Sequence, residues 1–155
     1  MRRWIVYLMA LFITAAVGIL PFRGTDVGKL LPVETVRLTK QDDKILLETD
    51  TAGYGIGNDI QSALENLKAT AMGNVFLDTA DYLIVTPGGE DLLLELYAFL
   101  RPNCSICIQL GNAEVAKITE FLENHEPELT LQEYRGGLKK IPVMMIVEER
   151  MELVQ

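Results

Sequence analysis

Residues 53–71, GYGIGNDIQSALENLKATA, decide how the rest of the chain is read. Ile60, Ala63, Leu64, Leu67 and Ala71 recur at the i, i+3, i+4, i+7 spacing that gathers apolar side chains on one face of a helix. Asn58 or Asp59 offers an N-cap in front of them, and Gly73 a stop behind. The run Gly53-Tyr54-Gly55-Ile56-Gly57 leads into this helix and reads as a flexible turn between a strand and the helix. A helix with one apolar face needs a partner layer, and the sequence on both sides of it supplies strands.

Upstream, Val33 to Thr39 and Lys44 to Asp50 are β-rich runs separated by Gln41-Asp42-Asp43, which predicts a hairpin. Downstream, Val75 to Leu77 and Tyr82 to Val85 form one strand or two short ones around Asp78 and Asp81, ended by Pro87-Gly88-Gly89. A second helix is expected from Glu90 to Leu100, with Leu93, Leu96, Phe99 and Leu100 inward and Pro102 closing it. Ser105 to Leu110 reads as a strand. Asn112 then caps a third helix reaching about Asn124, with Val115, Ile118, Phe121 and Leu122 inward, and Val143 to Val147 is a last apolar run. The order ββαβαβαβ predicts a single small α/β domain, with a mixed or parallel sheet and about three helices packed on at least one face.

The chain has 155 residues and a hydrophobic share of 49%, much of it concentrated at the start. Trp4 to Phe22, WIVYLMALFITAAVGILPF, contains no charge and at helical rise nearly matches a hydrocarbon core of about 30 Å. An uncleaved anchor, a cleaved signal peptide and a buried core helix all fit such a segment. Ala16-Val17-Gly18 offers small residues for cleavage, but the length of the run favours retention, and no cysteine near residue 20 marks a lipoprotein. Arg2 and Arg3 in front of it place the N-terminus in the cytoplasm and the domain outside, with Trp4 and Tyr7 near the interface. The expected organisation is therefore 1–22 as one N-terminal transmembrane helix, 23–32 as a linker and 33–155 as an extracytoplasmic domain.

Setting aside Arg2 and Arg3 takes the 14 basic residues to 12, against 22 acidic ones, a net charge of −10 on the remainder. Such a domain lacks the basic stripe that displaces counterions from phosphates, the one cluster being Arg135, Lys139 and Lys140, so nucleic acid is not an expected partner. Nor does an acidic domain lie on an anionic lipid surface, which leaves anchoring to the apolar segment.

Four groups of residues invite chemistry. Cys104-Ser105-Ile106-Cys107 has thiol–disulfide spacing, which admits a redox pair or a structural disulfide. The strand context instead sends residues i and i+3 to opposite faces, as two packed thiols. Gly53 to Gly57 before a helix could cradle an anion or a small ligand, but the spacing is not G-x-G-x-x-G and no G-K-[ST] follows. Asp78 and Asp81 could act as an acid–base pair; three apart at a strand break, they read rather as caps for backbone N–H groups at a turn. His125, the one histidine, sits at a helix end where an imidazolium favours the dipole. No G-x-S-x-G, H-E-x-x-H or EF-hand loop occurs, and the expectation is a chain without catalytic, cofactor or metal residues.

From Gly55 to about Ile108 the order of features is more specific than any one motif. Gly55-x-Gly57 opens a helix carrying Ala63-Leu64-x-Asn66-Leu67, followed by Val75-Phe76-Leu77 and Asp81-Tyr82-Leu83-Ile84-Val85, then by a helix ending in Phe99-Leu100-Arg101. Over this third of the chain the sequence resembles the N-terminal domain of the Ger(x)C family, the membrane-attached third component of spore germinant receptors. The resemblance implies a non-catalytic extracytoplasmic subunit whose partners are other membrane or envelope proteins. Members of that family carry a lipid on an N-terminal cysteine and continue into a larger C-terminal domain. Neither feature occurs in these 155 residues, so the implied role is in a related envelope or spore-membrane assembly. A membrane-tethered thiol–disulfide oxidoreductase using Cys104 and Cys107, and a small-ligand binder using residues 53–57, are the alternatives.

Overall fold

The computed structural model describes residues 27–155 apart from 138, 139 and 149, and upstream of these only Trp4, Ile5, Tyr7, Met9 and Phe12. Most of the expected membrane span thus lies outside the described residues; among those described, no helix is long and apolar enough to cross a membrane. In chain order the elements are β1 (Leu30–Pro32), β2 (Thr35–Gln41), β3 (Lys44–Thr49), β4 (Tyr54–Gly57), α1 (Ile60–Thr70), β5 (Asn74–Phe76) and β6 (Tyr82–Val85). They continue with α2 (Leu93–Leu96), β7 (Ser105–Leu110), α3 (Val115–Leu122), α4 (Leu131–Arg135), β8 (Val143–Val147) and β9 (Arg150–Val154). This is a small α/β domain with a mixed sheet.

Seven strands form the main sheet in the order β4-β3-β2-β6-β7-β8-β9. The four central strands β2, β6, β7 and β8 are parallel, and an antiparallel hairpin partner flanks them on each side. β1 and β5 make a separate parallel pair, which draws the end of the stretch read as linker into a ladder at Leu30–Pro32.

Because strand side chains alternate, the parallel strands bury residues on both faces. One face carries Val36, Leu38, Leu47, Leu83, Val85 and Ile106, covered by Ile60, Ala63, Leu64 and Leu67 of α1 and by Leu93 and Leu96 of α2. The other carries Ile84, Cys107 and Met144 under Ile118 and Leu122 of α3. Burying each large side chain contributes about 1.5–3 kcal/mol, so the larger first face dominates stability.

α1 starts with Asp59, whose carboxylate accepts from Ser62 N at 2.6 Å while Ser62 Oγ accepts from Asp59 N at 3.1 Å. The Ser62 backbone N–H holds the Asp59 carboxyl below the usual carboxylate range. The run before it is not the expected turn: Tyr54–Gly57 is a strand, antiparallel to β3 at the sheet edge. Its glycines are needed for close approach. A Cβ on Gly55 would stand 2.2 Å from Ala63 O, and one on Gly57 2.3 Å from Ala63 N, so α1 lies with its backbone against this strand.

Two helices depart from expectation. The segment from Glu90 to Leu100 forms a 3-10 turn at Glu90–Leu92 and the single α-turn of α2, without a side-chain cap, and i→i+3 bonds such as Phe99 N to Leu96 O close it. Leu93, Leu96 and Leu100 nevertheless point inward. α3 begins after Glu114, not Asn112, and no side chain caps its first amides. The region between Phe76 and Tyr82 resolves as two strands separated by a 3-10 turn, Leu77–Thr79. The sequence reading omitted α4, capped by Thr130 and Glu133, and β9, which extends the sheet beyond β8.

Candidate functional site

The sheet face under α3 also holds a concavity. β2 and β3 pair with Arg37 opposite Glu48, both directed to that face. Arg37 Nε and Nη2 each lie 2.8 Å from Glu48 Oε2, and Nη1 donates to Ala113 O at 2.7 Å. The guanidinium, with Arg37 only 8% exposed, therefore ties the loop before α3 down onto β2. That loop turns at Gly111, φ +96°, where a Cβ would meet Ile146 O at 2.4 Å. One turn into α3, the Thr119 and Thr35 hydroxyls share a hydrogen bond at 2.8 Å and fix the helix over the strand.

Between these parts opens a cavity of about 590 Å³. Arg37, Glu48, Asn112 and Lys117 supply its polar wall, and Tyr54, Val115, Ile146 and Met151 its apolar wall. Arg37 and Glu48 compensate each other, and the lining also carries one further charge of each sign, Lys117 and Glu114. The uncapped first turn of α3 borders it. Such a cavity suits a small molecule with an apolar body and a hydrogen-bonding head. Gln109, 2% exposed on the same sheet face, donates from Nε2 to Gly111 O at 3.0 Å, while its Oε1 has no partner among the described residues.

The residues singled out in the sequence do not converge here. Cys104 and Cys107 are both buried, in the cores on opposite sheet faces, and both are free thiols. Desolvation pushes each up to about 12; Arg101 draws Cys104 partly back, and Cys107 beside it adds to the rise. Asp81 forms an ion pair with Arg101. The turn beside it is bonded by neither aspartate but by Thr79, whose Oγ1 accepts from Val33 N at 3.1 Å and donates to carbonyls of Val33 and Phe76, each at 2.9 Å. Asp78 and Asp81 are thus not the expected caps. His125, three residues beyond the end of α3, stacks on Phe121 at 4.3 Å, with Nδ1 3.1 Å from Phe121 O. Arg135 of the basic cluster lies over the Tyr97 ring at 4.5 Å. Among the described residues no group of three or more His, Cys, Asp or Glu could hold a metal ion. Of the glycine run, Gly53 and Tyr54 reach the cavity; Gly55 and Gly57 face α1 and cannot cradle an anion.

No family model, curated protein or solved structure matches the chain. The resemblance to the Ger(x)C family accordingly rests on the residues quoted for it. Arg37 and Glu48 were missed as a pair because the hairpin was read with a three-residue turn. With Gln41 in the strand the turn is Asp42-Asp43, Gln41 pairs with Lys44, and counting back sets Arg37 against Glu48.

Proposed function

We propose that this chain is a non-enzymatic, single-pass membrane subunit, its N-terminus cytoplasmic and its α/β domain on the extracytoplasmic side of a bacterial cell membrane. In this reading it serves a Ger(x)C-like envelope or spore-membrane assembly and binds other membrane or envelope proteins. The observation that carries the reading is at the N-terminus. Trp4, Ile5, Tyr7, Met9 and Phe12 are helical and 60–78% exposed, so these large apolar side chains stand clear of both cores. Apolar surface of this kind is accommodated by lipid, and Arg2 and Arg3 orient the segment. Burial of both thiols supports the non-enzymatic part, since desolvation raises both pKa values and keeps the thiols in the unreactive protonated form at neutral pH.

Carbonate washing of membranes tests the anchor. The full chain should remain in the pellet after salt and carbonate, whereas release of a shortened mature form would mean that the segment is a cleaved signal. A second reading, a small-ligand binding domain, is favoured by the 590 Å³ cavity that reaches Gly53 and Tyr54.

A further inference from the structure

We propose that the outer face of the β1–β5 ribbon, with Met72 beside it, rests in the interfacial layer of the bilayer that holds the N-terminal segment. The inference rests on the anchoring part of the reading above and adds a second point of contact, made by the folded domain itself.

The ribbon stands apart from the seven-stranded sheet. Its strands run parallel, with Leu30 beside Asn74, Leu31 beside Val75 and Pro32 beside Phe76. Leu31 and Val75 pack against the larger core, so alternation turns Leu30, Pro32, Asn74 and Phe76 the other way. Pro32 and Asn74 are exposed, and Phe76 is 39% exposed. Met72, two residues before β5, is fully exposed. It lies where the ribbon begins: its neighbour Gly73 is so close to the chain entering β1 that an added Cβ would stand 2.5 Å from Lys29 O.

This surface differs in charge from the rest of the domain. The chain carries 22 acidic residues, yet none lies from Val27 to Val33 or from Asn66 to Leu77. The charges in those two stretches are Lys29 and Lys68, both exposed. Glu34 and Asp78 follow only at the end of the ribbon away from Lys29. The acidity that keeps the domain at large off an anionic surface is therefore absent here. Lysines at such a place extend to the headgroups while neighbouring apolar side chains sit deeper.

The chain leading in selects lipid as the occupant. The apolar segment ends at Phe22, and the 3-10 turn Val27–Lys29 that opens β1 begins five residues later, a reach of at most about 18 Å when fully extended. Met72 and Phe76 lie beside that entry point. A tether this short holds this end of the domain at the membrane surface, where a high effective concentration sustains even a weak apolar contact.

Fluorescence of the full-length protein in phosphatidylcholine vesicles is the test, with a nitrobenzoxadiazole label on Met72→Cys, on Phe76→Cys or, for comparison, on Asp43→Cys. Asp43 lies in the β2–β3 turn, at the far end of β2 from Pro32, and the buried Cys104 and Cys107 take no label in the folded protein. With iodide on both sides of the bilayer, the first two labels should be quenched at least about threefold more weakly than the third. They should also emit further to the blue and be quenched by nitroxide-bearing lipid. Labels as open to iodide as the one at Asp43, in a protein that carbonate does not extract, would leave the anchor standing and overturn the proposal. Shielding from iodide without quenching by the nitroxide lipid would mean that protein, a second copy, covers the ribbon, and overturns it as well. A chain that carbonate releases from the vesicles removes the anchor and the proposal together. Met72 is fully exposed, so its replacement removes no packing on which the fold depends.

Discussion

Cys104 and Cys107 are three residues apart and yet lie in different hydrophobic cores, because a sheet separates them. A disulfide between them would require the start of β7 to twist out of its ladder with β6. Burial keeps both neutral, and the consequence for stability has a definite sign. A thiol whose pKa rises on folding, from 9.0 to about 12 here, stabilises the fold fully below pH 9, and the contribution is lost as pH climbs from about 9 towards 12. Urea midpoints should therefore be insensitive to these thiols up to about pH 9 and fall above it, and Cys104→Ser with Cys107→Ser should flatten the fall. Alkylation should follow the same logic, with no modification of the folded protein at pH 7 and rapid modification of the urea-unfolded chain. A thiol that reacts in the folded state at pH 6 would restore the oxidoreductase alternative.

Among the elements, the contact of α1 with β4 shows what periodicity reveals and what it hides. The helix was legible because Ile60, Ala63, Leu64 and Leu67 repeat on one face, and all four are buried. The glycine run before it was not, because a glycine that permits a turn and a glycine that admits a neighbouring backbone look alike in sequence. Gly55→Ala would place a methyl 2.2 Å from Ala63 O, a backbone atom that cannot swing aside. It should cost about 1–3 kcal/mol or more in chemical denaturation, the range for overpacking. Gly88→Ala, where φ is +91° and no atom lies within 4 Å of the added carbon, should cost about 1–2 kcal/mol from conformation alone. If Gly55→Ala were the milder of the two, α1 would not lie against β4 as described. The Arg37–Glu48 pair belongs to this scale too. A one-residue difference in the assumed turn hides a cross-strand pair whose members are otherwise ordinary surface residue types.

For the molecule as a whole, the alternation of strands and helices was enough to predict a mixed sheet, because crossovers force parallel neighbours. The covering of both faces was not readable, since α3 crosses to the opposite side by way of Gly111, a turn visible only in three dimensions. The cavity was equally illegible: it joins β2, β3, the start of α3 and the β8–β9 hairpin, elements far apart in the chain. β9 escapes the sequence because Arg150 and Glu152 interrupt its apolar residues. The acidic domain and the uncharged segment behind Arg2 and Arg3 are separate regions of one chain, and the proposed function needs them on opposite sides of a membrane interface. A reporter active only outside the cytoplasmic membrane, fused after Gln155, measures this most directly. It should be active while the same fusion to a reporter that works only in the cytoplasm stays silent, and the reverse pattern would contradict an extracytoplasmic domain.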